Sequence, residues 1–261
     1  VVSGGEDNNY GFQYGQGTLT VGKATLTAVA DDVTRKYGEA NPDFTISYTG
    51  FVGDDDASDI DVLPVESSAT DALSDAGEYE ITLADGSDDN YDLYLTGGML
   101  RVTKAPLTVT ADDKSKTYGE ANPALTITWE GFVNEEDLSD LDTAPLASTA
   151  ATELSDAGQW EIVLSEGSDS NYEITTINGT LTINRATLLV SAENKSKIYG
   201  EENPELTVTC TGFVNDDDRD DIDIFPVVIT EATALSGVGE YPLVVSGGED
   251  NNYGFQYGQG T

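Results

Sequence analysis

Short runs in which apolar and polar residues alternate one for one recur along the chain, separated by Gly, Asn and Pro. Leu107, Val109 and Ala111 alternate with Thr108 and Thr110, and Leu125, Ile127 and Trp129 with Thr126 and Thr128. Trp160, Ile162 and Leu164 alternate with Glu161 and Val163; Tyr91, Leu93 and Leu95 alternate with Asp92 and Tyr94; Leu181 and Ile183 flank Thr182. A period of two places successive side chains on opposite faces of a strand, so each run predicts a strand with one apolar face. No helical stripe of useful length interrupts the pattern. Turn signals punctuate it at Asn41-Pro42, Gly86-Ser87-Asp88-Asp89-Asn90 and Gly97-Gly98. Strands this short and this regularly spaced predict antiparallel sheets, each buried on one side, packed as a two-sheet sandwich.

The runs belong to a longer period. Tyr37-Gly38-Glu39-Ala40-Asn41-Pro42 returns 81 positions later at Tyr118 to Pro123, and again as Tyr-Gly-Glu-Glu-Asn-Pro at Tyr199 to Pro204. Gly50-Phe51-Val52, Gly131-Phe132-Val133 and Gly212-Phe213-Val214 keep the same register, as do Asn90-Tyr91, Asn171-Tyr172 and Asn252-Tyr253. Residues 1–18 are identical to residues 244–261, which lie 243 positions away, three times 81. Neighbouring units have diverged while units three apart match, as duplication of a three-unit block would produce. The expectation is a window on a longer tandem array. A rival reading has Leu19-Thr20-Val21 of one chain completing the third unit of the next.

Domain limits follow from the strand pattern: 1–23 as the last strands of a preceding unit, then 24–104, 105–185 and 186–261. The third lacks the strand equivalent to Leu100-Arg101-Val102. Between Val102 and Leu107 stand only Thr103, Lys104, Ala105 and Pro106. Pro106 is expected to stiffen this linker by fixing φ.

Composition narrows the function. The chain has 11 Lys and Arg against 49 Asp and Glu, a net charge of −38 over 261 residues. That field opposes nucleic acid and anionic membrane surfaces alike. No run approaches the roughly 20 apolar residues of a membrane-spanning helix. With no His and one Cys, Cys210, the usual general base, an intrachain disulfide and a Cys-based zinc site are all missing. Paired carboxylates could serve a glycosidase, but units repeated without insertions offer no long loops to build a cleft. No enzyme is expected.

The succession from Leu107 to Ala186, with Tyr-Gly-Glu-x-Asn-Pro-x-Leu/Phe-Thr, Gly-Phe-Val, Gly-x-x-x-Asn-Tyr and Gly-x-Leu-x-Ile/Val, resembles the MBG-type repeats. These are named for mucin-binding glycoproteins and stand in tandem in very large bacterial surface adhesins. The resemblance covers essentially the whole chain. It implies tandem Ig-like β-sandwich domains in an elongated array, in an extracellular stalk on the bacterial cell surface. The implied role is a spacer whose partners are neighbouring repeats, with host or environmental glycans met through distal domains. The alternative is a module that grips glycan or mucin in each unit and gains avidity from repetition. Asp75-Ala76-Gly77-Glu78-Tyr79 resembles the Ig-type tyrosine corner, but Trp160 in the second unit argues against a general one.

The acidic loop after Gly-Phe-Val is the strongest candidate for chemistry. Asp56, Asp59 and Asp61 recur as Asp137, Asp140, Asp142 and as Asp218, Asp221, Asp223. Oxygen ligands at such density suit calcium, acting on stiffness rather than chemistry, although the spacing is not that of an EF-hand. The competing reading is a solvated loop that keeps neighbouring stalks apart. Gly4-Gly5-Glu6-Asp7-Asn8-Asn9, like its copy at 247–252, reads as a turn. Tyr10, Phe12 and Tyr14 read as a core-facing stripe, since Leu93 and Ile174 stand where Phe12 does. Cys210, in the place of Tyr48 and Trp129, reads as a small buried hydrophobe. Tyr37, Tyr118 and Tyr199 read as structural.

Overall fold

The computed structural model describes residues 1–258 and divides into two compact units, 1–105 and 106–261. Repeat one contains β1 (Ala24–Ala30), β2 (Val33–Lys36), β3 (Ile46–Thr49), β4 (Val65–Ser67), β5 (Gly77–Ala84), β6 (Tyr91–Thr96) and β7 (Gly98–Thr103). They form two sheets ordered β3-β1-β6 and β2-β7-β5-β4. The all-β sandwich is as expected, but the sheets are mixed rather than antiparallel throughout. β1 runs antiparallel to β3 yet parallel to β6, and β7 runs antiparallel to β5 yet parallel to β2. Alternation tells which side chains face inward and nothing about which neighbour a strand takes. The connection from β1 to β6 is long enough to return a strand alongside in parallel.

The core lies between the sheets. Leu26 and Ala28 of β1 face Ile81 of β5 and Leu100 of β7, all four fully buried. Each large aliphatic side chain so placed contributes about 1.5–3 kcal/mol over an exposed one. The Gly-Phe-Val glycine is required by close approach. Gly50 has φ +119°, and a Cβ there would collide with the Thr25 carbonyl oxygen of β1. Gly131 and Gly212 stand in the same relation to the carbonyls of Pro106 and Thr187.

Repeat two repeats the plan with β8 (Ala105–Ala111), β9 (Lys114–Thr117), β10 (Ile127–Glu130), β11 (Ala147–Thr149), β12 (Gly158–Leu164), β13 (Tyr172–Ile177) and β14 (Gly179–Asn184). Its sheets are β10-β8-β13 and β11-β12-β14-β9, around Leu107, Val109, Ile162 and Leu181. Pro106 is the second residue of β8 and not part of a linker, a correction to the sequence reading. Near the start of a strand, a residue without an N–H is tolerated. Only Lys104 separates β7 from β8.

Repeat three has β15 (Ala186–Ala192), β16 (Val208–Thr211), β17 (Val227–Ile229), β18 (Val244–Ser246) and β19 (Tyr253–Gly258), in sheets β16-β15-β19 and β17-β18. Residues 195–198 and 239–242, which correspond to β9 and to the start of β12, form no strand here. In repeat two those segments flank β14.

One sequence appears in two states. Tyr253 is 2% exposed and begins β19, which pairs in parallel with β15. Its identical copy Tyr10 is 75% exposed, and no strand forms anywhere in residues 1–23. The core-facing stripe read at Tyr10, Phe12 and Tyr14 is therefore wrong for that copy, as is the strand read at Leu19-Thr20-Val21. The last three residues of the second copy, Gln259 to Thr261, lie outside the described residues.

Candidate functional site

The Tyr-Gly-Glu-x-Asn-Pro segment is a clamp. Gly38, Gly119 and Gly200 take φ of +83°, +84° and +91°, the region glycine enters without penalty. The following glutamate turns back to accept a backbone N–H: Lys36 to Glu39 at 2.8 Å, Thr117 to Glu120 at 2.6 Å, Ile198 to Glu201 at 3.0 Å. The asparagine reaches across the fold. Asn41 Nδ2 donates to the Thr70 carbonyl at 2.9 Å, and Asn122 and Asn203 donate to Ala151 and Ala232, each at 2.6 Å.

A cation two residues ahead of each tyrosine, unnoticed in the sequence, completes the clamp. Arg35 and Lys116 are buried, and their charged groups bond carbonyls. Arg35 Nη2 donates to the Asp71 carbonyl. Lys116 Nζ donates to Thr152 at 2.7 Å and Glu120 at 2.9 Å, and Lys197 Nζ to Thr233 at 2.6 Å and Glu201 at 3.0 Å. The signal that could have found them is a basic residue at an 81-residue spacing in a chain with so few.

The tyrosine of Asn-Tyr organises the acidic loop. Tyr91, Tyr172 and Tyr253 are buried and pack edge to face on Phe51, Phe132 and Phe213 at 5.8, 5.2 and 5.7 Å. Each hydroxyl accepts the N–H of the valine after that phenylalanine and donates to an acidic side chain: Asp55, Glu136 or Asp217.

Of the nine aspartates singled out in the sequence, six are placed in capping boxes and three bridge to a second loop. Asp56, Asp137 and Asp218 each begin a short 3-10 turn, accepting the N–H two residues on, while Asp59, Asp140 and Asp221 accept the N–H of those capping residues. The hydroxyls of Ser58 and Ser139, with their N–H groups, hold Asp56 and Asp137 below the ordinary carboxylate pKa. Asp61 and Asp142 accept the backbone N–H of Asp89 and Ser170, and Asp223 accepts from the Asn251 amide. A second aspartate, missed in the sequence, binds the same two loops from the other side. Asp88, Asp169 and Asp250 accept the N–H of Asp61, Asp142 and Asp223, together with the N–H groups ahead of and at Tyr91, Tyr172 and Tyr253. Among the described residues, no three His, Cys, Asp or Glu side chains form a group that could hold a metal ion.

These parts converge where repeats two and three meet. Only Arg185 separates β14 from β15, and its Nε donates to the Asn251 carbonyl at 3.1 Å. The ring of Tyr118 stands edge to face on Tyr253, 5.5 Å between centroids, and both hydroxyls donate to Asp217 Oδ2, at 3.1 and 2.7 Å. Burial, then the Asp217 carboxylate, pushes both phenols above the ordinary tyrosine pKa. Asn252 fastens a second point, accepting the Ala157 N–H at 2.8 Å and donating to Asp156 Oδ1 at 3.0 Å. Tyr118 is thus structural through its neighbour. Tyr37 is also buried, whereas Tyr199, read from the sequence as equivalent, is 63% exposed.

Two smaller readings are settled. Tyr79, Trp160 and Tyr241 all donate to the carbonyl four residues earlier, at 2.9, 3.0 and 3.0 Å. The corner is general after all, because the indole N–H does the work of the phenol. Cys210, read as a buried hydrophobe, is half-buried instead, and that partial burial raises its thiol pKa.

Among the described residues, no helix is long and apolar enough to cross a membrane. No curated protein matches the chain. Residues 26–101, 107–182 and 188–261 each match the family described as MBG domain (YGX type), a non-catalytic repeat typical of surface proteins. With three matches covering most of its length, and a Tyr-Gly-Glu clamp in each, the chain belongs to the MBG domain (YGX type) family.

Proposed function

We propose that these repeats are a spacer in a large bacterial surface adhesin, holding a distal binding domain away from the cell. The observation that carries this is the joint between repeats two and three. One residue connects the last strand of one sandwich to the first of the next, and Tyr118, Asp217 and Tyr253 lock the contact. A flexible tether needs neither feature. Glycan binding in every repeat would call for an aromatic platform in every repeat. The outward position instead holds Tyr94, Thr175 and Gln256. The test is residual dipolar couplings on repeats two and three. A single alignment tensor is expected to fit both, and two independent tensors would overturn the rigid-spacer reading. A glycan array probed with the chain is expected to retain nothing. Binding that survives in single repeats would favour the avidity module.

A further inference from the structure

We propose that a crevice in repeat three binds a guanidinium group, the side chain of an arginine presented by a partner protein. The crevice, of about 550 Å³, lies beside the edge strand β19 and the turns joined by the bridge of Ile224 to Glu249. Asp223, Glu249, Gly254, Phe255, Tyr257 and Arg185 line it. All three repeats share this plan, but four of the lining positions change in the third. Glu249 stands where repeats one and two have Ser87 and Ser168, and Gly254 where they have Asp92 and Glu173. Phe255 replaces Leu93 and Ile174, and Tyr257 replaces Leu95 and Thr176. A carboxylate and two aromatic rings are gained and a side chain is cleared, all around a single space. The sandwich does not demand this, since Leu93 packs against the core of repeat one without a ring.

Together the gained groups suit a flat cation. The rings of Phe255 and Tyr257 are parallel to within 4°, with centroids 6.4 Å apart. The Tyr257 hydroxyl donates to the Gly247 carbonyl, which fixes a ring that is 41% exposed. Aromatic faces attract cations, and a guanidinium stacks on a ring while its fork of N–H groups engages a carboxylate. Two exposed carboxylates border the same space. Glu249 is held by its backbone, which bonds Ile224 in both directions at 2.9 and 3.0 Å, and Asp223 accepts the Asn251 amide at 3.3 Å. Arg185 adds an opposing charge, with its Nε bonded to the Asn251 carbonyl, but these two carboxylates and the buried Asp250 outweigh it. A net charge of −38 draws any cation toward the protein. The rings select where it stays, and favour a planar guanidinium over the compact, strongly hydrated ammonium of lysine.

The experiment titrates the isotope-labelled full chain with acetyl-Gly-Arg-Gly-amide and follows its backbone amide shifts. Saturable shifts are expected at Glu249, Gly254 and Phe255, and not at the equivalent Ser168, Glu173 and Ile174 of repeat two. The variants Glu249→Ser and Phe255→Ile carry the residues that repeat two has at these positions, so the fold accommodates them. Each should weaken binding by about fivefold or more, through loss of one ion pair or one cation–π contact. A peptide with citrulline in place of arginine, similar in shape but neutral, should not bind, and one with lysine should bind more weakly. Shifts spread evenly over the acidic loops of all three repeats, and unchanged by Phe255→Ile, would reduce the effect to the general field of the protein and overturn the proposal. So would equal binding of the citrulline or the lysine peptide, or no saturable shift at Glu249 and Phe255. Lactose producing those shifts in place of the arginine peptide would overturn it in favour of a sugar. None of these outcomes bears on the coupling of repeats two and three.

Discussion

Lys116 carries one of 11 basic side chains in this protein, and it is spent on two carbonyls instead of a carboxylate. A charge-assisted bond to a neutral acceptor in a buried clamp leaves that acceptor stranded when the cation is removed. Lys116→Met should therefore destabilise by about 1–3 kcal/mol in denaturant unfolding. Lys116→Arg should cost little, since Arg35 fills the same place in repeat one. An equal loss for both would show that the length of the side chain matters more than its bonds. Trp160 makes the complementary point. Trp160→Phe should lose about 0.5–1.5 kcal/mol with the bond to the Asp156 carbonyl, and Trp160→Tyr should recover most of it. Tyr79 and Tyr241 already make that bond with a phenol. Reading Trp160 as an exception came from matching residue names. The geometry asks only for a donor on a flat ring at that reach.

Among the elements, the joint can be separated from the strain of its own turn. Gly119 and Gly200 share nearly the same positive φ, but a Cβ at Gly119 would stand 2.5 Å from Val214 Cγ2 and one at Gly200 meets open space. Replacing either by Ala incurs the left-handed backbone cost of roughly 1–2 kcal/mol. Gly119→Ala alone should also force repeats two and three apart, visible as faster exchange of the Val214 and Ala157 amides. Equal behaviour of the two variants would mean that Val214 yields. The strands themselves were legible in the sequence, because a period of two is a local property. The parallel pairings and the joint were not. Tyr118 finds its carboxylate 99 residues away, and no local pattern encodes a contact at that separation. Residues 1–18 and 244–261 show the same limit directly: among the described residues the second copy forms strands at Val244–Ser246 and Tyr253–Gly258, and the first forms none. The aspartate positions were legible and their partners were not, because acid density says nothing about backbone N–H groups folding toward them.

At the scale of the whole molecule, a net charge of −38 sets how stability responds to solvent. Lowering pH from 7 toward 5 begins to neutralise carboxylates and relieves self-repulsion, which favours the folded state. A second set of carboxylates acts the other way. The hydroxyls of Ser47 and Thr45 hold Asp31 below its ordinary pKa, Thr126 and Thr128 do so for Asp112, and Thr207 for Glu193. Asp88 is lowered chiefly by the Asn90 N–H. A carboxylate whose pKa is depressed on folding stabilises above its unfolded pKa, about 4, and that contribution is lost as pH falls through the folded value. The melting temperature should thus be flat or rising down to mildly acidic pH and fall below about 4, with a shallower fall in Asp88→Asn. A monotonic decline from pH 7 would show that repulsion is unimportant. The same charge bears on calcium at Asp56, Asp59, Asp61 and their counterparts. With each of those side chains already accepting an N–H, calcium and NaCl at matched ionic strength should raise the melting temperature equally over EDTA. A larger rise in calcium would establish an ion site in the acidic loops.

The strands by which the chain enters and leaves a repeat have a bearing on tension. β1 sits in the middle of its sheet, between β3 and β6, and β7 lies between β2 and β5; β8 and β14 are placed the same way in repeat two. A pull applied along the chain reaches each sandwich through these strands first. Neither is an outer strand that could be peeled away one hydrogen bond after another. Each must be dragged lengthwise past two neighbours, with both rows of bonds loaded together. Resistance to such a pull is set by the rate of unfolding and not by equilibrium stability. Ordinary melting measurements would therefore understate how much tension these repeats can bear.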